Sequence, residues 1–149
     1  MKIIDNNGIL RVEKEGDEVT VMRIFSNAHT IFVEDGFERI YERAFRGCEK
    51  LKTLHLPKSI RYLGSQIFQE KYSEVKIVYA GSSDDFKKID LVREVYESGP
   101  YDRYPYYSDY GASYKEERFY AMYDSYDMWC EVLCKEDNVR LTYGSKKNH

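Results

Sequence analysis

The side chains with the widest chemical reach in this sequence are three histidines, three cysteines and an adjacent pair of carboxylates. His29, His55 and His149 stand far apart and without ligand spacing, so none of them pairs with another to begin a zinc site. Cys48, Cys130 and Cys134 are odd in number and contain no Cys-x-x-Cys pair. That set suits a reducing compartment, where free thiols are ordinary, better than a disulfide framework. All three read as buried thiols that pack like small apolar groups. Asp84-Asp85 has the composition of an acid/base pair. It precedes an apolar-spaced stretch, however, where negative charge meets a helix dipole, and capping is the better account. Phosphate-cradling glycine loops, a nucleophile elbow and kinase patterns are all missing from the sequence. The expectation is a protein with no catalytic residues, no metal site and no cofactor.

What remains is the chemistry of contact. Net charge is only −3, but it is unevenly spread. Residues 1–93 carry 16 basic and 15 acidic side chains, whereas residues 94–137 carry 11 acidic and 4 basic ones. From residue 94 onward lie 11 of the 15 tyrosines. Tyr101, Tyr104, Tyr106, Tyr107, Tyr110 and Tyr114, mixed with serine, glycine, Asp102 and Asp109, have the make-up of a binding loop. Tyrosine gives large amphipathic contact area at low entropic cost. This stretch, through Asp127, is expected to supply the main contacts to a partner, with the rest of the chain as a rigid base. An acidic surface of this kind also fits the basic groove of a nucleic-acid enzyme, where carboxylates stand in for phosphates. By analogy of size and charge with small phage-carried inhibitors, anti-CRISPR proteins among them, that is the alternative reading. Direct nucleic-acid binding is not expected. Lys50, Lys52, Lys58 and Arg61 make only a modest basic patch, which reads as a solvated face.

Positioning such residues requires a scaffold, and the chain aligned with itself supplies one. Thr30-Ile31-Phe32-Val33-Glu34-Asp35-Gly36-Phe37 matches Thr53-Leu54-His55-Leu56-Pro57-Lys58-Ser59-Ile60 at an offset of 23. The match continues through Ile40 and Leu63, Ala44 and Ile67, and Phe45 and Phe68; a weaker third copy begins at Lys76-Ile77-Val78-Tyr79. Such a unit cannot bury its apolar side alone, so copies stack around one core. Leu54-x-Leu56 predicts a short strand, which Pro57 ends because proline cannot donate to a ladder. Leu63, Ile67 and Phe68 predict a short helical turn. Strands 31–33, 54–56 and 77–79 should then lie side by side and parallel. Ile31, Val33, Leu54, Leu56, Ile77 and Tyr79 should point inward, and Phe32, His55 and Val78 should form an outward rung open to a partner.

Ala44-Phe45-Arg46-Gly47-Cys48-Glu49-Lys50-Leu51-Lys52-Thr53-Leu54-His55-Leu56-Pro57-Lys58-Ser59-Ile60, resumed by Leu63-Gly64 and Ile67-Phe68, resembles the BspA-like class of leucine-rich repeats. Val78-Tyr79-Ala80-Gly81-Ser82-Ser83-Asp84-Asp85-Phe86 resembles that family's terminal unit, with Phe86 where tryptophan is usual. The resemblance covers about residues 30–91 and implies a non-catalytic protein-protein interaction module.

The flanks should close the stack. Residues 9–13 and 19–25, separated by Glu15-Gly16-Asp17, predict a β-hairpin covering the first coil. Ser82, with Asp85 three residues on, predicts the N-cap of a helix over 84–97 that ends at Gly99-Pro100. Phe119, Met122, Tyr123, Tyr126, Trp129, Cys130 and Leu133 recur at helical spacing and predict a helix over 115–127. A hairpin around Glu136-Asp137-Asn138 stays open as the alternative for 132–143. The fold class expected is α+β: one domain, with a capping hairpin (1–29), a short solenoid of parallel strands and helical turns (30–91) and a tyrosine-rich, partly helical region (92–149). No apolar run approaches the roughly 20 residues needed to cross a bilayer, and the start lacks a signal-peptide core. A cytosolic location without membrane contact is the default expectation.

Overall fold

The computed structural model describes residues 1–64, 66–68, 75–89 and 128–145. Its main feature is a seven-stranded sheet in the order β1-β2-β4-β6-β8-β9-β10, with a second sheet ordered β3-β5-β7. The main strands are β1 (Lys2–Asn6), β2 (Ile9–Glu13), β4 (Thr30–Val33), β6 (Thr53–Leu56), β8 (Lys76–Tyr79), β9 (Met128–Cys134) and β10 (Val139–Ser145). The small sheet is built from β3 (Thr20–Val21), β5 (Arg39–Ile40) and β7 (Tyr62–Leu63). One short helix, α1 (Ser83–Lys87), completes the described elements.

Stacking follows the offset of 23. Ile31 pairs with Leu54 and Leu54 with Ile77, all in parallel. The six residues expected to point inward are all buried, and Ile31, Leu54 and Ile77 are fully so. The small sheet lines the other side of the same core with Val21, Ile40 and Leu63, each fully buried. Phe45 stacks on Phe68 one coil later, with ring centroids 6.1 Å apart.

The repeat's small residues have local physical reasons. Ser59 donates to the Phe37 carbonyl at 2.6 Å and accepts from the Gly36 amide at 2.9 Å, a tie to the previous coil. A Cβ built on Gly64 would lie 2.5 Å from the Glu42 nitrogen and 2.7 Å from its Cα, so the two backbones can meet there only because Gly64 has no side chain. Cys48 sits buried in the following slot of the coil and donates from Sγ to the Ile24 carbonyl at 3.4 Å. Burial pushes its pKa up to about 11 and holds it as a thiol. Cys130 and Cys134 are likewise buried and free, with their thiol pKa values raised by burial.

Four expectations are corrected. First, strand 9–13 does not form a hairpin with 19–25. β2 pairs antiparallel with β1, across Asn7-Gly8, and parallel with β4. Asn7 and Gly8 have φ of 54° and 83°, the pair of left-handed residues that a tight hairpin turn needs. Residue 20 begins β3 of the second sheet instead, so 9–29 is itself a coil of the stack. Second, Leu63 does not open a helical turn; with Tyr62 it pairs with β5 as a two-residue strand. Third, the helix predicted over 84–97 is over by Lys88. The Lys88 and Ile89 amides turn back to the Asp85 and Phe86 carbonyls, tightening the last turn, and Ile89 goes into the core. Its capping box is as expected, with Ser82 and Asp85 bonding reciprocally at 3.1 and 3.3 Å. Fourth, positions 129, 130 and 133 belong to strand β9, not to a helical run. Cys130, Val132 and Cys134 are fully buried with period two, while Leu133 faces out. The hairpin left open around Glu136-Asp137-Asn138 is the one found, with Asn138 at φ 58°. Residues 90–127, which include the predicted 115–127 helix and the Gly99-Pro100 stop, lie outside the described residues.

Candidate functional site

Alternation puts every second residue of the main sheet on its outer face. Register then places Ile4, Arg11, Phe32, His55, Val78, Leu133 and Arg140 opposite one another on successive strands. The expected rung of Phe32, His55 and Val78 is therefore formed, and it is longer than the repeat alone implied. All three are half-buried, as is Leu133. The described part of the C-terminal region extends the sheet through β9 and β10 and does not cover this face.

The rung is held by contact between its own side chains. Phe32 and His55 stack with ring centroids 4.0 Å apart and planes 12° from parallel. From the strand on the other side, the Arg11 guanidinium carbon lies 4.7 Å from the Phe32 centroid. Guanidinium, phenyl and imidazole thus form one continuous layer across three strands. Cation–π contacts of this exposed type contribute roughly 0.5–1 kcal/mol. Burial lowers the pKa of His55, and the nearby positive charge of Lys135 lowers it further. A neutral imidazole is what the stack holds. Beside the rung runs a polar row of Thr30, Thr53, Lys76 and Glu131. An apolar centre with a polar border is the usual make-up of a protein contact surface.

His29 bonds through Nδ1 to the Thr30 hydroxyl at 2.8 Å and lies against Gly8, apart from the rung. Among the described residues no group of three His, Cys, Asp or Glu could hold a metal ion. No helix among them is long and apolar enough to cross a membrane.

Asp84-Asp85 is a cap, as expected, and the joint it belongs to was not foreseen. Asp137, in the turn between β9 and β10, accepts from the Ser83 amide at 3.1 Å and from its hydroxyl at 2.7 Å. Lys58 bridges Glu136 at 2.7 Å and Asp85 at 3.6 Å. These bonds fasten the terminal hairpin to α1 and to the third coil. No sequence signal joined Ser83 to Asp137, because their bond spans a sequence separation of 54. Tyr101, Asp102, Tyr104, Tyr106, Tyr107, Asp109, Tyr110 and Tyr114, the other expected contact residues, lie outside the described residues, as does His149.

The family model described as a BspA type leucine rich repeat region (6 copies) matches residues 23–90. No curated protein and no solved structure matches the chain. Leucine-rich repeats generally act as non-catalytic modules that bind other proteins. The segment from 23 to 90, and with it the greater part of the stacked core, is thus similar to the BspA-type leucine-rich repeat region.

Proposed function

We propose that this chain is a non-catalytic protein-protein interaction module whose contact surface is the outer face of the main sheet, centred on Phe32, His55 and Val78. The observation that carries the reading is the shared register of Arg11, Phe32, His55 and Val78 in one half-exposed layer. Aromatic and arginine side chains are enriched in protein interfaces, and a layer already stacked loses little side-chain freedom on binding. The layer sits on a hydrogen-bonded sheet over a buried core, which favours a preformed surface for the partner. Affinity capture of the partner from the native host, using the full chain as bait, tests the proposal. Substituting Phe32 and His55 together by alanine should abolish capture.

A second reading is favoured by the excess of 11 acidic over 4 basic residues in 94–137. In it, Asp102, Asp109 and the tyrosines from Tyr101 to Tyr114 engage the basic groove of a nucleic-acid enzyme and inhibit it by phosphate mimicry. Salt separates the two. Binding by carboxylates to a basic groove falls steeply as ionic strength rises, whereas binding by the stacked layer changes little.

A further inference from the structure

The small sheet presents a face of different chemistry. The two sheets enclose one core, so their outer faces look to different sides of the molecule. Residues 20–25, 38–47 and 61–64, which form the small sheet and its following turns, hold five arginines and two carboxylates, Glu38 and Glu42. Glu42 is bridged to Arg43 at 3.2 Å. Among the described residues no ion pair engages Arg23, Arg46 or Arg61. Interleaved with these arginines are Met22, 47% exposed, and Tyr41, 40% exposed, each the residue just after one of the paired strands β3 and β5. Phe25 is 80% exposed, with its ring laid against Gly47, the residue after Arg46.

We propose that this face is a second docking surface, distinct from the main-sheet rung, and that it takes an acidic protein segment with carboxylates flanking an apolar or aromatic side chain. Charge complementarity sets the sign of the partner. The aromatic geometry sets its class. Arg23 lies over the Tyr41 ring at 5.4 Å and Arg39 over the Tyr62 ring at 4.4 Å. Guanidinium groups occupy those two rings, which leaves few open platforms for a run of stacked bases. Guanidinium groups such as those of Arg23 and Arg46 bind carboxylates in a two-pronged fork. Phe25, the most exposed of the apolar side chains on this face, supplies the main apolar anchor.

The test is a titration of the isotope-labelled full chain, followed by NMR, with a synthetic peptide that alternates glutamate with phenylalanine and leucine. Its lysine-for-glutamate counterpart and a thymidine oligonucleotide serve as comparisons. The acidic peptide should shift the amides of residues 22–25 and 41–47, and the lysine peptide should not. Joint Arg23→Glu and Arg46→Glu substitution should weaken binding by about tenfold or more, with thermal unfolding unchanged. Phe25→Ala, at a site with almost no packing to lose, should weaken it by a similar factor and carries the test alone if the double variant fails to fold. The proposal is overturned if those amides do not move, if the lysine peptide moves them equally, or if the oligonucleotide binds more tightly than the acidic peptide.

Discussion

Gly64 and Gly47 occupy the two glycine positions of the repeat, yet substitution should affect them differently. At Gly64 a methyl group meets the backbone of Glu42, which cannot move without shifting a coil. Gly64→Ala should therefore cost roughly 1–3 kcal/mol. At Gly47 the main obstacle is the ring of Phe25, largely in solvent and able to swing away, although the Ile24 carbonyl at 3.0 Å adds a smaller contact. Gly47→Ala should cost less, and urea unfolding of both variants measures the difference. Leu54 lies at the centre of the buried ladder with no exposed surface. Leu54→Ala should cost roughly 2–5 kcal/mol, from lost burial and the cavity left behind. His55 gives a pH signature. Its folded pKa lies below the ordinary value of about 6.5. Its contribution to stability is thus complete above that pH and is lost as pH falls toward the folded value, because the unfolded chain takes the proton first. Proton NMR of the imidazole should show a depressed midpoint. At this scale the inward positions were legible, since strict alternation at Ile31, Val33, Leu54 and Leu56 has one interpretation. The contact between Gly64 and Glu42 was not, because it depends on how closely two coils approach.

Elements were legible in proportion to their length and repetition. The strands at 31–33, 54–56 and 77–79 share one offset, and each copy supports the others. The coil from 9 to 29 is shorter: Leu10 pairs with Ile31 at a separation of 21 residues, so a search at 23 passes over it. Strands β3, β5 and β7 have two residues each, too few for any periodicity to register. The terminal hairpin was masked by an accidental helical spacing that ran through Trp129, Cys130 and Leu133. Its attachment makes a prediction of its own. Bonds from Ser83 hold the Asp137 carboxylate below the usual aspartate range. The stability that this joint contributes is present above about pH 4 and is lost as pH falls through the folded value. Asp137→Asn should lower the melting temperature at pH 7, and the two melting curves should converge in strong acid. A constant difference at every pH would assign the effect to packing.

At the scale of the molecule, the five parallel strands of the described main sheet are closed at each end by an antiparallel one, β1 on one side and β10 on the other. Closure of this kind is what a short solenoid needs, because few coils leave proportionately large apolar ends. It also leaves the outer face of the sheet uncovered by its described strands, which is why the rung of Phe32, His55 and Val78 is available to a partner. The candidate rung could be read from the 23-residue offset, but its extension to Arg11 and Leu133 could not, since neither strand belongs to the recognisable repeat. The most direct measurement of the central claim is partner capture compared across two variants of equal thermal stability. One carries Phe32→Ala with His55→Ala; the other carries alanine at Tyr106, Tyr107 and Tyr110. Loss of capture in the first with retention in the second is the predicted result. Retention in the first with loss in the second would contradict it and move the binding face to the tyrosine-rich stretch.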